Sequence, residues 1–212
     1  MDIKDNSAVI AVITGDLIAS QNLDEQHFQQ ALTVLSTLFT EMNYEFDLYR
    51  GDSFQVIVPP KKVIELAILA RLSLKAIGDK QQETDARISI GIGHILRNET
   101  IRTSNGSAFI RSGIGLDKIK HRKIVLISAS PNKQIELDLL LEYVDKHISE
   151  LTKEQARVLL AYLAQPDISH EEIGRKVGKS RANTTKILNK ANYHLLEKFL
   201  TAQPHLIENL KK

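Results

Sequence analysis

Cysteine is absent from this 212-residue chain, which excludes a disulfide framework and any thiolate metal site. No apolar run approaches the roughly 20 residues of a transmembrane helix. No signal-peptide pattern opens the sequence, so the expected compartment is the cytoplasm, without membrane insertion. Repeats, low-complexity tracts and a Pro/Gly-rich linker are also missing. Net charge is scarce at +2, but the balance hides an asymmetry: residues 1–150 hold 17 Lys/Arg against 20 Asp/Glu, and residues 151–212 hold 11 against 6. The basic excess lies at the C-terminus, where a nucleic-acid partner would require it.

What is present is an ordinary globular composition, 42% hydrophobic, enough for packed cores. The apolar run Ala8–Thr14 predicts a buried strand, and Phe28, Ala31, Leu32, Leu35, Leu38 and Phe39 recur at helical spacing within 24–42. Two short β-prone segments, 44–49 and 54–58, flank Arg50-Gly51-Asp52-Ser53, a tight-turn composition that predicts a hairpin. A largely apolar helix over about 61–77 and a strand over 86–92 complete the order βαββαβ. That order is the ferredoxin-like split unit, in which the first and third strands lie side by side. Beyond it the pattern predicts a polar loop over 97–106, a helix over 107–120, a strand over 123–128 and a leucine-rich helix over 132–150. The fold class is therefore α+β.

Two aspartates stand out. Asp16 follows the first apolar strand and Asp52 sits at the hairpin tip, with Gly15 and Gly51 beside them. Two carboxylates at adjacent strand ends are what a divalent cation, Mg²⁺ or Mn²⁺, needs in order to hold nucleotide phosphates, and glycine lets phosphates approach backbone amides. The same residues also suit ordinary turns, and both readings stand at this stage. The basic run Lys118, Lys120, His121, Arg122 and Lys123 reads as a solvated edge, and His27 and His94 lack metal-ligand spacing.

The capping-box spelling Thr152-Lys-Glu-Gln155 starts a fresh helix and sets a boundary between a domain over 1–150 and a small all-α domain over 151–212. A second capping box, Ser169 with Glu172, opens a helix that Gly178 is placed to end, and Ser180 is placed to cap the next. The three-residue turn makes a helix-turn-helix. Its second helix offers Ser180, Arg181, Asn183, Thr184, Lys186 and Lys190 to double-stranded DNA, polar groups for base edges and cations for phosphates. A dimerising bundle that never touches DNA is the alternative.

The segments Ile13-Thr-Gly-Asp16, Arg50-Gly-Asp-Ser-Phe54, Arg87-Ile-Ser-Ile-Gly-Ile-Gly93 and Gly106-Ser-Ala-Phe-Ile110 together resemble the catalytic core of class III nucleotide cyclases and their GGDEF relatives over about residues 8–128. The C-terminal pattern resembles the helix-turn-helix of sigma factor region four and LuxR-type regulators. The whole chain resembles the bacterial SatD-like family. This resemblance implies a cyclase-like palm in which Asp16 and Asp52 bind metal and nucleotide, followed by a DNA-binding domain, with pairing into a homodimer expected. It also implies a chemical deficit. The asparagine and arginine that cyclases direct at the transition state would fall at Ile110 and Ile114, and no counterpart of the base-selecting lysine stands near Tyr49. Loss of one such donor costs on the order of 100-fold or more in rate, unless Arg111, Lys118 or Lys120 substitutes. The leading expectation is a transcriptional regulator with a degenerate, ligand-sensing cyclase-like domain. The alternatives are a metal-dependent nucleotide-processing enzyme with a DNA-binding appendage, and a dimerising adaptor with both sites inert.

Overall fold

A computed structural model describes residues 9–78, 81–165 and 167–210. Five strands form one sheet in the order β2-β3-β1-β4-β5, with β1 Ile10–Leu17, β2 Glu45–Tyr49, β3 Ser53–Val58, β4 Ala86–Gly93 and β5 Ile124–Ile127. β1 is antiparallel to both β3 and β4, which places the first and third strands side by side as the βαββαβ order requires. β5 then joins β4 in parallel. The strand expected over 8–14 begins at Ile10 and continues to Leu17; Ala8 lies outside the described residues. Asp16 is therefore a strand residue, paired with Ser53 on one side and Arg87 on the other, and does not lie in a turn.

Eight helices accompany the sheet among the described residues: α1 Glu25–Glu41, α2 Val63–Ile77, α3 Ser107–Lys118, α4 Pro131–Glu150, α5 Lys153–Ala164, α6 His170–Val177, α7 Arg181–Lys190 and α8 Tyr193–Asn209. None is long and apolar enough to cross a membrane. Strand alternation sorts the two faces. Ala11, Ile13, Phe54, Val56, Ile88 and Ile90 point into the main core with α1 and α2. Val12 and Ile57 point the other way, against Ala108 and Phe109 of α3 and Ile101 of the preceding loop. The α3 backbone comes close to the sheet because Gly91 has no side chain: a Cβ there would lie 2.1 Å from the Ala108 carbonyl oxygen. Loop 97–106 contains one 3-10 turn, Ile101–Thr103, closed by a reciprocal cap between Thr100 and Thr103.

α2 is apolar nearly all round, with Val63, Ile64, Leu66, Ala67, Ile68, Leu72 and Leu74 buried. A helix of that kind needs cover on more than one side. The sheet supplies one cover and α5 another, through Val158, Leu159 and Tyr162 in the same apolar cluster. Each such side chain contributes about 1.5–3 kcal/mol on burial. The cluster runs without interruption into Ile173, Val177, Leu188 and Leu196. α8 reaches back to the start of α2, where the Gln203 amide donates to the Lys61 carbonyl at 2.8 Å.

One charge breaks the apolar surface of α2. Arg71 is 0% exposed. Its Nε and Nη2 each donate to Asp85, at 2.9 Å, and its Nη1 donates to Asp145 of α4 at 2.5 Å. Lys123 completes the cluster with 2.8 Å contacts to Asp85 from its ammonium and to Asp145 from its backbone N–H. Burial alone would raise the Asp85 pKa; the hydrogen bonds and charges of Arg71 and Lys123 outweigh it and hold the carboxyl below its ordinary value. The basic run of 118–123 is thus partly internal, since Arg122 also pairs with Asp138 and Glu142 of α4.

Candidate functional site

The face of the sheet that carries α3 is only partly covered. Where α3 sits, polar strand residues are satisfied from above: the Thr14 and Ser112 hydroxyls share a 2.8 Å hydrogen bond. One step further along the strands, the row formed by Asp16, Ser53, Arg87 and Tyr49 reaches the strand ends. Beside it opens a cleft of about 430 Å³ lined by Asp47, Tyr49, Arg50, Gln55 and Arg102.

The two aspartates meet at this end. The Leu17 N–H, one residue past Asp16, donates to the Asp52 carbonyl at 2.9 Å, which ties the hairpin loop to the end of β1. The Asp52 carboxylate accepts the Ser20 hydroxyl at 2.6 Å and the Ser53 hydroxyl at 3.3 Å. Ser20 is delivered by a left-handed Ala19, φ 51°, at the start of a 3-10 turn. Asp16 has a different partner. Both of its oxygens are taken by Arg87, from Nε at 2.9 Å and Nη2 at 2.6 Å. The guanidinium pKa is raised, first by these hydrogen bonds and then by the charges of Asp16 and Asp52. Tyr49 beside them has its phenol pKa raised by burial, reinforced by the negative charges of Asp47 and Asp16.

The glycines serve the backbone. A Cβ on Gly15 would lie 2.4 Å from the Phe54 ring, so the missing side chain is packing space for that phenylalanine. Gly51 lies at φ +87° after Arg50 at φ 53°, two left-handed residues that close the loop between Tyr49 and Ser53. As it stands the site does not fit a resident divalent metal. Among the described residues no three His, Cys, Asp or Glu side chains are grouped to hold one, and the fork of Arg87 competes with a cation for the Asp16 carboxylate. Ile110 and Ile114 face solvent at 55% and 42% exposure and can donate nothing. Arg111, a conceivable substitute, instead donates to the Ile92 carbonyl at 2.5 Å.

Arg87, Ser20 and Arg102 are members of this site that sequence reasoning missed. Arg102 pairs with Asp47 at 2.9 Å across the cleft. Arg87 occupies the position on β4 directly opposite Asp16, and only the register of the two strands reveals it.

The C-terminal helices follow their capping signals. Thr152 with Gln155 and Ser169 with Glu172 form reciprocal caps, Gly178 is left-handed at φ 68°, and the Ser180 hydroxyl accepts the Asn183 N–H. Three residues, Gly178 to Ser180, join α6 to α7. Arg181, Asn183, Lys186 and Lys190 are exposed on α7. Thr184 is not. It is 0% exposed, and its hydroxyl donates to the Ser180 carbonyl at 3.0 Å. Its expected place on an outward surface is corrected: the position faces inward with Leu188, and the short polar side chain is satisfied by its own helix.

The sequence matches no protein-family model and no curated protein. Among solved structures the chain is similar to the adenylyl cyclase CyaB from P. aeruginosa, at 12% identity and a TM-score of 0.43 over 60% of this chain and 80% of that one. It is similar to a bacterial light-regulated adenylyl cyclase at 12% identity and a TM-score of 0.43, over 60% and 79% of the two chains. A third neighbour is the guanylyl cyclase Cya2, at 13% identity and a TM-score of 0.39 over 58% and 76%. These neighbours are nucleotide cyclases. At such values the likeness says nothing about what this chain binds or does.

Proposed function

We propose that this chain is a DNA-binding regulator of the SatD-like kind, in which a cyclase-like α+β portion over 1–150 binds a nucleotide without cyclising it and a helix-turn-helix over 151–212 reads DNA. The observation that carries the reading is the division of α7 into two faces. Thr184 and Leu188 anchor it inward, while Arg181, Asn183, Lys186 and Lys190 stand in solvent on a helix capped by Ser180. Exposed cations and an amide on one short helix are suited to phosphates and base edges. The continuous apolar packing of α2 against α5 offers a physical connection between the sheet and this helix.

The test is fluorescence anisotropy of the full chain with duplex DNA across a salt series. Arg181→Ala and Lys186→Ala are each expected to weaken binding and to lower the salt slope by about 1. Unchanged binding in both variants would remove α7 from the interface.

A second reading, a metal-dependent nucleotide-processing enzyme, is favoured by the convergence of Asp16 and Asp52 on one strand end. It is opposed by the Arg87 clamp and by the apolar Ile110 and Ile114. Incubation with each nucleoside triphosphate and Mn²⁺, with products read by mass spectrometry, decides between the two. A product that disappears in Asp52→Ala would establish the enzyme.

A further inference from the structure

The face of α4 turned away from the core carries Ile135, Leu139 and Tyr143, at 65%, 56% and 70% exposure. Residues four apart line one stripe of a helix, and Leu140, 40% exposed, widens it. On the opposite side Leu137, Leu141, Val144 and Ile148 are buried. A helix that is apolar on two sides calls for two partners, and the chain supplies one of them.

The charges beside the stripe identify the other. Arg122 engages Asp138 and Glu142, and Arg71 engages Asp145. The remaining lysines and carboxylates of α4 are Lys133, Glu136, Lys146 and Glu150, which alternate in sign along the helix. A parallel copy would set each charge against its like. An antiparallel copy with Leu139 opposite Tyr143 of the partner subunit sets Glu136 opposite Lys146 of the partner subunit. The same register sets Lys133 opposite Ser149 of the partner subunit, one residue from Glu150 of the partner subunit, and two-fold symmetry repeats each pair. The 2.9 Å Lys146–Glu150 contact within one helix is 72% and 64% exposed and is weak enough to be exchanged. An anionic membrane surface does not fit, because the stripe is bordered by as many carboxylates as ammonium groups.

We propose that the chain forms a homodimer through antiparallel pairing of α4 about this apolar stripe. The pairing does not depend on α7 contacting DNA. Sedimentation velocity of the full chain over the micromolar range is expected to show concentration-dependent dimer, lost in Leu139→Glu, whose exposed site leaves the fold intact by circular dichroism. Glu136→Lys is expected to weaken the dimer and the double variant Glu136→Lys with Lys146→Glu to restore it. The natural absence of cysteine makes cross-linking clean: a mixture of Glu136→Cys and Lys146→Cys chains should form a disulfide-linked dimer on mild oxidation, and neither chain alone should. A monomer at every concentration, a dimer indifferent to Leu139→Glu, or cross-linking of Glu136→Cys with itself would each overturn the proposal.

Discussion

Arg87 grips both carboxylate oxygens of Asp16 across the β1–β4 pairing, through two hydrogen bonds of 2.9 and 2.6 Å. This clamp separates the candidate site from an open metal centre, since a cation on Asp16 has to compete with a guanidinium for the carboxylate. The Arg87 side chain is 44% exposed, so the pair is worth up to about 1 kcal/mol. Arg87→Ala is expected to strengthen binding of Mn²⁺ with a nucleoside triphosphate severalfold, read as a larger thermal shift and by calorimetric titration. An identical response in the variant and the parent would show that the clamp does not control the carboxylate.

The convergence of Asp16 and Asp52 was legible because the strand order and a hairpin composition are written in local patterns. The clamp was not, because Arg87 meets Asp16 only through a register set by the rest of the sheet. Arg71 shows a different limit. Period 3.6 places it on α2, but nothing local says that α2 is covered on more than one side and that an arginine there becomes internal. The polarity of Thr184 suggests a surface residue, but a threonine can satisfy its hydroxyl on the carbonyl four residues back and so pass as a core residue.

The buried arginine gives the next expectation. Removing Arg71 leaves the buried Asp145 carboxylate without its cation and Asp85 with Lys123 alone, and deleting one partner of a buried pair costs about 3–5 kcal/mol. Arg71→Ala is expected to lower the midpoint of urea unfolding accordingly. A change within the range of surface substitutions, about 0.5 kcal/mol, would show that the cluster is relaxed or hydrated.

The same cluster sets an acid limit. The folded Asp85 carboxyl titrates below its ordinary value of 3.8, so the stability it contributes is fully present above that pH. It is lost as the pH falls through the depressed value. Thermal unfolding followed from pH 5 toward about pH 2 is expected to show this loss in the parent. Asp85→Asn, already less stable at neutral pH, should decline less steeply. Parallel curves would assign the acid limb to other carboxylates.

The two faces of α7 make opposite demands on one pair of measurements. Thr184→Val keeps the shape of a fully buried side chain but removes its hydrogen bond to the Ser180 carbonyl. It should cost about 0.5–1.5 kcal/mol of stability while leaving the salt dependence of DNA binding as it was. Lys186→Ala touches an exposed cation. It should leave stability within about 0.5 kcal/mol and reduce the slope of log affinity against log salt by about 1, the signature of one lost phosphate contact. The contrast separates contact from scaffold because the residues are two positions apart on one helix and point to opposite sides. If both variants lowered affinity only in proportion to unfolding, α7 would be a packing element and the DNA-reading role would fail.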